Sequence, residues 1–148
     1  MITFQPKNQL MHYLFALMLF VLGGTTLTAQ EGIQFFEGTY EEALAHAQEE
    51  GKLVYIDCYA VWCGPCKYMK ANVFTDPKVG AFYNEHFVCV QMDMEKGEGP
   101  TLARKFGIRG YPTHIYMDSE GEELSRELGG APVNKFLKMG KMVVKKQG

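Results

Sequence analysis

The segment Trp62-Cys63-Gly64-Pro65-Cys66 constrains this 148-residue chain more than any other. It follows, after Ala60-Val61, on Lys52 to Tyr59, a run rich in Leu, Val, Ile and Tyr that reads as a buried strand. Gly64-Pro65 makes a tight turn into a helix spanning about Gly64 to Val73, because proline suits the first helical turn. The chain must therefore pass from strand to helix with two cysteines at the junction. Cys63 falls at the helix N-terminus, where unpaired N–H groups and the helix dipole favour an anion. A thiolate is stabilised there, and thiolates, not thiols, attack disulfides. Cys66 lies about one helical turn on, close enough to bond to Cys63 and to resolve a mixed disulfide. Half of a zinc site is the competing reading. Zinc usually takes four ligands with a second close pair, and Cys58 and Cys89 are not so spaced. The pattern favours redox chemistry, with no metal.

The rest of the chain supplies alternating helices and strands. Thr39-Tyr40-Glu41-Glu42 is a capping box, after which Tyr40, Ala43, Leu44 and Ala47 recur at helical spacing until Gly51. Thr75-Asp76-Pro77 restarts a helix with a cap residue and a following proline. Phe87 to Met92 is a second apolar strand. Gly97-Glu98-Gly99-Pro100 reads as a loop, Thr101 to Phe106 as a short helix, and Thr113 to Met117 as a strand. Asp118-Ser119-Glu120-Gly121 turns into a strand over Glu122–Leu128. Pro132 opens a last helix with Val133, Phe136, Leu137, Val143 and Val144 on one face. The order α-β-α-α-β-α-β-β-α predicts a single α/β domain, a central mixed sheet with helices on both faces. A net charge of −2, from 15 basic and 17 acidic side chains, argues against nucleic acid as a partner. Aromatic residues at 13% argue against disorder.

The first 29 residues have a different character. Lys7 precedes an apolar stretch from Leu10 to Leu22 broken only by His12, and a polar run then leads to Ala29. This is the pattern of a secretory signal peptide cut after Ala29, which leaves a domain over residues 30–148 in a periplasmic location. An uncleaved membrane anchor is the alternative. The run is shorter than the roughly 20 apolar residues that span a bilayer.

Together with a second motif, Gly110-Tyr111-Pro112-Thr113, these residues resemble the thioredoxin superfamily over nearly all of 35–146. The resemblance implies a thioredoxin fold, a cis peptide bond before Pro112, and a proline that packs against the cysteines and keeps metal away. It implies that the Tyr111 backbone pairs with an extended substrate segment. Asp57, in an otherwise apolar strand, matches the family's buried aspartate, which helps take the proton of the second cysteine. A buried carboxylate is costly and tends to hold its proton; a hydrogen-bonded strand-end aspartate is the plainer alternative. Cys89 falls by ungapped match where cytosolic members carry a lysine near that aspartate. Tyr59-Ala60-Val61 and the insert Asn72-Val73-Phe74-Thr75-Asp76-Pro77-Lys78-Val79 are more similar to the exported C-terminal domain of DsbD-type membrane reductases. They also suit the anterior-gradient type. Cys58 and Cys89 read as buried thiols, with a cross-strand disulfide as the other choice. Trp62 and Tyr111 suggest an apolar rim that grips protein, and His114 reads as structural.

The sequence thus predicts an exported, monomeric protein-disulfide reductase. Cys63 and Cys66 act with Asp57 as catalytic residues, and Trp62, Gly64, Pro65, Tyr111 and Pro112 bind substrate. No organic cofactor or metal is expected, since two sulfurs carry both electrons. Protein disulfides are the substrates, and a membrane-embedded donor supplies electrons. A disulfide isomerase or oxidase, and a client-binding module with incidental cysteines, are the rivals.

Overall fold

Strand β1 (Leu53–Tyr59) lies at the centre of a sheet of order β2-β1-β3-β4, in a computed structural model that describes residues 32–148. The expected signal peptide at 1–29 lies outside the described residues. β2 (Phe87–Asp93) runs parallel to β1, while β3 (Thr113–Met117) runs antiparallel to β1 and β4 (Glu123–Leu128) antiparallel to β3. The sheet is therefore mixed, as the strand–helix alternation closing on a hairpin predicts. α1 (Tyr40–Glu50) precedes β1, and α2 (Gly64–Asn72) and α3 (Pro77–His86) link β1 to β2. α4 (Gly99–Lys105) leads to β3, and α5 (Val133–Gln147) closes the chain.

Because side chains alternate across a strand, β1 feeds two cores. Val54, Ile56 and Cys58 pack with Tyr40, Ala43 and Ala47 of α1 and Leu102 of α4. Tyr55 points the other way, into a core with Met69 of α2, Tyr83 of α3 and Phe136 of α5. Asp57 shares the parity of Tyr55 and thus faces the side covered by α2, α3 and α5. This is what places it below the cysteine-bearing helix. The second core is dense in aromatics: Tyr83 stacks on Phe136 at 4.4 Å, and its hydroxyl meets that of Tyr116 at 2.8 Å.

Local signals set most boundaries. The capping box is present at Thr39 and Glu42, and Gly51 closes α1 with φ 63°. Asp76 Oδ1 accepts from the Lys78 and Val79 amides at the start of α3. Two expectations need correction. α4 begins at Gly99 with Pro100 in its first turn, so part of the predicted loop is helical; proline costs nothing where N–H groups have no intrahelical partner. β4 begins one residue later than expected, because the Asp118 side chain holds the Glu120 and Glu122 amides in the turn.

Candidate active site

Cys63 is the N-cap of α2 in extended conformation, its sulfur accepting from the Cys66 amide at 3.2 Å, with Pro65 in the first turn. The two cysteines are joined as a disulfide with Cα atoms 5.3 Å apart. Both sulfur-bearing residues are buried, at 3% and 5% exposure, yet they front different openings. Cys63 lines a groove of about 340 Å³ with Trp62, Gly64, Pro65, Arg109 and Tyr111. Cys66 lines a cavity of about 260 Å³ with Tyr59, Lys67, Lys70 and Gln91. That volume admits several waters beside Cys66.

Asp57 is fully buried. Its Oδ2 accepts from Gln91 Nε2 at 3.0 Å, and its Oδ1 has no hydrogen-bond partner. Burial raises its pKa to about 7, against the smaller lowering effect of the Gln91 hydrogen bond. The group is therefore poised to exchange a proton near neutrality. Gln91 joins Asp57 to the Cys66 cavity, since its side chain touches both.

The rim is built by two loops. The Tyr111–Pro112 peptide bond is cis, and Pro112 O accepts from the Gly129 amide at 2.8 Å. Thr113 Oγ1 donates to Gly110 O at 2.7 Å, which fixes the loop. Trp62 is 64% exposed and meets Tyr111 edge-on at 5.7 Å. Its indole Nε1–H donates to both carboxylate oxygens of Glu95, at 3.1 and 3.0 Å. The tryptophan is thus held from one side while the rest of its surface stays open. The residues Trp62, Cys63, Gly64, Pro65 and Tyr111 thus converge on one groove, with Pro112 adjoining it in the chain.

The partner of Asp57 differs from the ungapped match. Register pairs Asp57 with Gln91 and Cys89 with Tyr55, so Gln91, two residues on, occupies the place assigned to Cys89. Cys58 and Cys89 are free, buried thiols. They face opposite sides of the sheet, Cys58 toward α1 and Cys89 toward α3, so no bond can join them. Burial pushes both thiols well above the ordinary range. Among the described residues, no group of three or more His, Cys, Asp or Glu side chains is placed to hold a metal ion. Sequence reasoning missed Gln91, Glu95 and Arg109 as site residues. It gave His114 a structural role, and the ring is fully buried, directly across from Asp57. No local signal in the sequence gives the β1–β3 register that sets it opposite Asp57.

The chain matches the thioredoxin-like domain family over residues 40–143. A solved structure provisionally described as a disulphide-isomerase from Bacteroides thetaiotaomicron is 43% identical, covers 80% of this chain and 98% of its own, and superposes with a TM-score of 0.70. The oxidised C-terminal domain of Neisseria meningitidis DsbD is 25% identical, with coverages of 74% and 98% and a TM-score of 0.61. The thiol:disulfide interchange protein DsbD of Yersinia pestis (strain Pestoides F) is 36% identical over 80 residues. That alignment covers 53% of this chain and 13% of the relative, so the chain spans a small part of the curated relatives' length.

Proposed function

The chain belongs to the thioredoxin-like domain family, and from that premise we propose that it is an exported protein-disulfide reductase. The observation that carries the reading is the Cys63–Cys66 disulfide at the N-terminus of α2, opening on a groove with an aromatic rim. In the reduced protein the Cys63 thiolate, stabilised by the helix N-terminus, attacks one sulfur of a substrate disulfide. The substrate S–S bond breaks, one substrate sulfur leaves as thiolate and takes a proton from water, and a mixed disulfide to Cys63 forms. Cys66 then gives its proton to Asp57 and attacks Cys63 Sγ. This releases the second substrate sulfur as thiolate, which takes a proton from water, and leaves the Cys63–Cys66 disulfide. Two electrons pass from the cysteine pair to the substrate, so no organic cofactor enters the cycle.

Trp62 and Tyr111 grip an extended segment of the client, and the Tyr111 backbone pairs with it. Residues 1–29 direct export. An oxidising compartment demands a supply of electrons from across the membrane, which makes a membrane-embedded dithiol donor the upstream partner. Among the described residues, no helix is long and apolar enough to cross a membrane. The protein works as a monomer.

Insulin reduction by the intact chain and by Cys63→Ser tests the reading: the variant loses activity, and equal rates in the two would sink it. A second reading is favoured by the relative described as a disulphide-isomerase. Equilibration with glutathione separates the directions, with a potential near about −270 mV for a reductant and near about −120 mV for an oxidant.

A further inference from the structure

A buried polar atom without a partner calls for an explanation, and Asp57 Oδ1 is such an atom. Across the β1–β3 pairing stands His114, also fully buried, its Nδ1 3.8 Å from that oxygen. The distance exceeds a hydrogen bond, so the two groups interact through charge rather than through a shared hydrogen. The other ring nitrogen, Nε2, lies 3.2 Å from Gly129 O. A carbonyl only accepts, so Nε2 carries a hydrogen and Nδ1 is the nitrogen free to gain one. Nδ1 is also 2.8 Å from the Tyr55 hydroxyl. That hydroxyl donates to a bare Nδ1 or accepts from a protonated one. The ring is therefore satisfied through Tyr55 in both states; Nδ1 and Oδ1 make no hydrogen bond to each other, and their coupling is the electrostatic one of two buried groups 3.8 Å apart.

We infer that Asp57 and His114 form a single one-proton site, and that this pair, rather than Asp57 alone, receives the proton leaving Cys66. His114 is thus a positioning residue acting through Asp57, and the inference rests on the role proposed above for that aspartate. The S–H bond of Cys66 breaks, and an O–H bond on Oδ1 or an N–H bond on Nδ1 forms. No electrons leave the sulfur. Coupled groups of this kind titrate as a pair.

In the reduced protein the Cys63 thiolate adjoins Cys66. The cysteine pair itself aside, the other groups near this site among the described residues are neutral or marginal. On the same face, burial keeps Tyr55, Tyr116 and the Cys89 thiol neutral. Gln91 of β2 donates to the carboxylate and does not titrate. The charged neighbours lie at the margins: exposed Lys67 and Lys70 of α2 at the cavity mouth, exposed Lys135 of α5, and half-buried Glu127 of β4 opposite His114. Tyr59 lines the cavity beside Cys66, and burial raises its pKa as well.

The test is a pH titration of the reduced full chain, reading the Asp57 carboxyl carbon and the His114 ring nitrogens by NMR. Both signals should move with one midpoint. His114→Leu should lower the carboxyl midpoint by about one unit, a tenfold loss of proton affinity. His114→Asn, which stays polar but cannot hold the proton, should leave the midpoint as low as in His114→Leu. A His114 ring that stays still while Asp57 titrates overturns the pairing, and this readout needs no substitution. An unmoved midpoint in His114→Leu overturns it too. Wild-type resolution of mixed disulfides by Asp57→Asn would instead overturn the role of Asp57, and the pair with it. A slow Asp57→Asn beside a still ring removes the pairing alone.

Discussion

Gln91 holds Asp57 through one hydrogen bond from its amide to Oδ2, and that bond favours the charged carboxylate. Gln91→Leu removes it, so the Asp57 pKa, already raised to about 7 by burial, moves further up. The rate of mixed-disulfide resolution against pH, measured by stopped-flow on a model disulfide, should have its midpoint displaced to higher pH by roughly half a unit to one unit. An unmoved midpoint would show that Asp57 does not govern the step. Asp57, Cys63 and Cys66 were legible in the sequence because one strand–helix unit carries all three, and short-range spacing fixes their geometry. Gln91 and His114 were not, because each reaches Asp57 across a sheet pairing whose register is decided by packing far along the chain. The misplacement of Cys89 is a register error of that kind: two residues preserve the face but move the contact one step along the strand.

Between elements, close approach decides what propensity cannot. Gly80 lies in the middle of α3, where alanine would ordinarily gain up to about 1 kcal/mol of helix stability. Here a Cβ at position 80 would run into the Gly32 carbonyl, and Gly32 itself sits at φ 80° with its own Cβ position blocked by the Phe74 backbone. The N-terminal segment is tied down beside these contacts by Asn84, which donates to Gly32 O and accepts from the Gln34 amide. Gly80→Ala should therefore destabilise the protein by about 1–3 kcal/mol, the usual range for overpacking, in urea unfolding followed by circular dichroism. A gain in stability would show that the segment moves aside at little cost. Asp76→Ala should cost about 1 kcal/mol in the same assay, through loss of the α3 cap. The cap was readable from Thr75-Asp76-Pro77, since capping is local chemistry. The glycine contact was not, because nothing near Gly80 in sequence announces what lies against it.

For the whole molecule, the buried pair makes the pH dependence of stability a balance of two opposed slopes. Asp57 has a folded pKa of about 7, above the ordinary value of 3.8. Between those values the folded protein binds more protons there than the unfolded chain, so this group's contribution is fully present below about pH 4 and is lost as pH rises toward 7. His114 has the opposite sign: its folded pKa is lowered by burial to about 4 from 6.5. The unfolded chain binds more protons there, so that contribution is present above 6.5 and is lost as pH falls toward 4. Over the shared window from about pH 4 to 6.5 the two nearly cancel. Each state then carries one proton across these two groups, on the histidine when unfolded and within the pair when folded. Removing one partner should expose the slope of the other. Relative to wild type, Asp57→Asn should gain stability steadily as pH rises from 4 to 6.5, and His114→Leu should lose it over about pH 4 to 6, each by a few kcal/mol at most. Urea midpoints at pH 4, 5.5 and 7 for the three proteins suffice to measure this. Three parallel profiles would mean that neither side chain changes its proton occupancy on folding, and the proton site beneath Cys66 would have to be sought elsewhere.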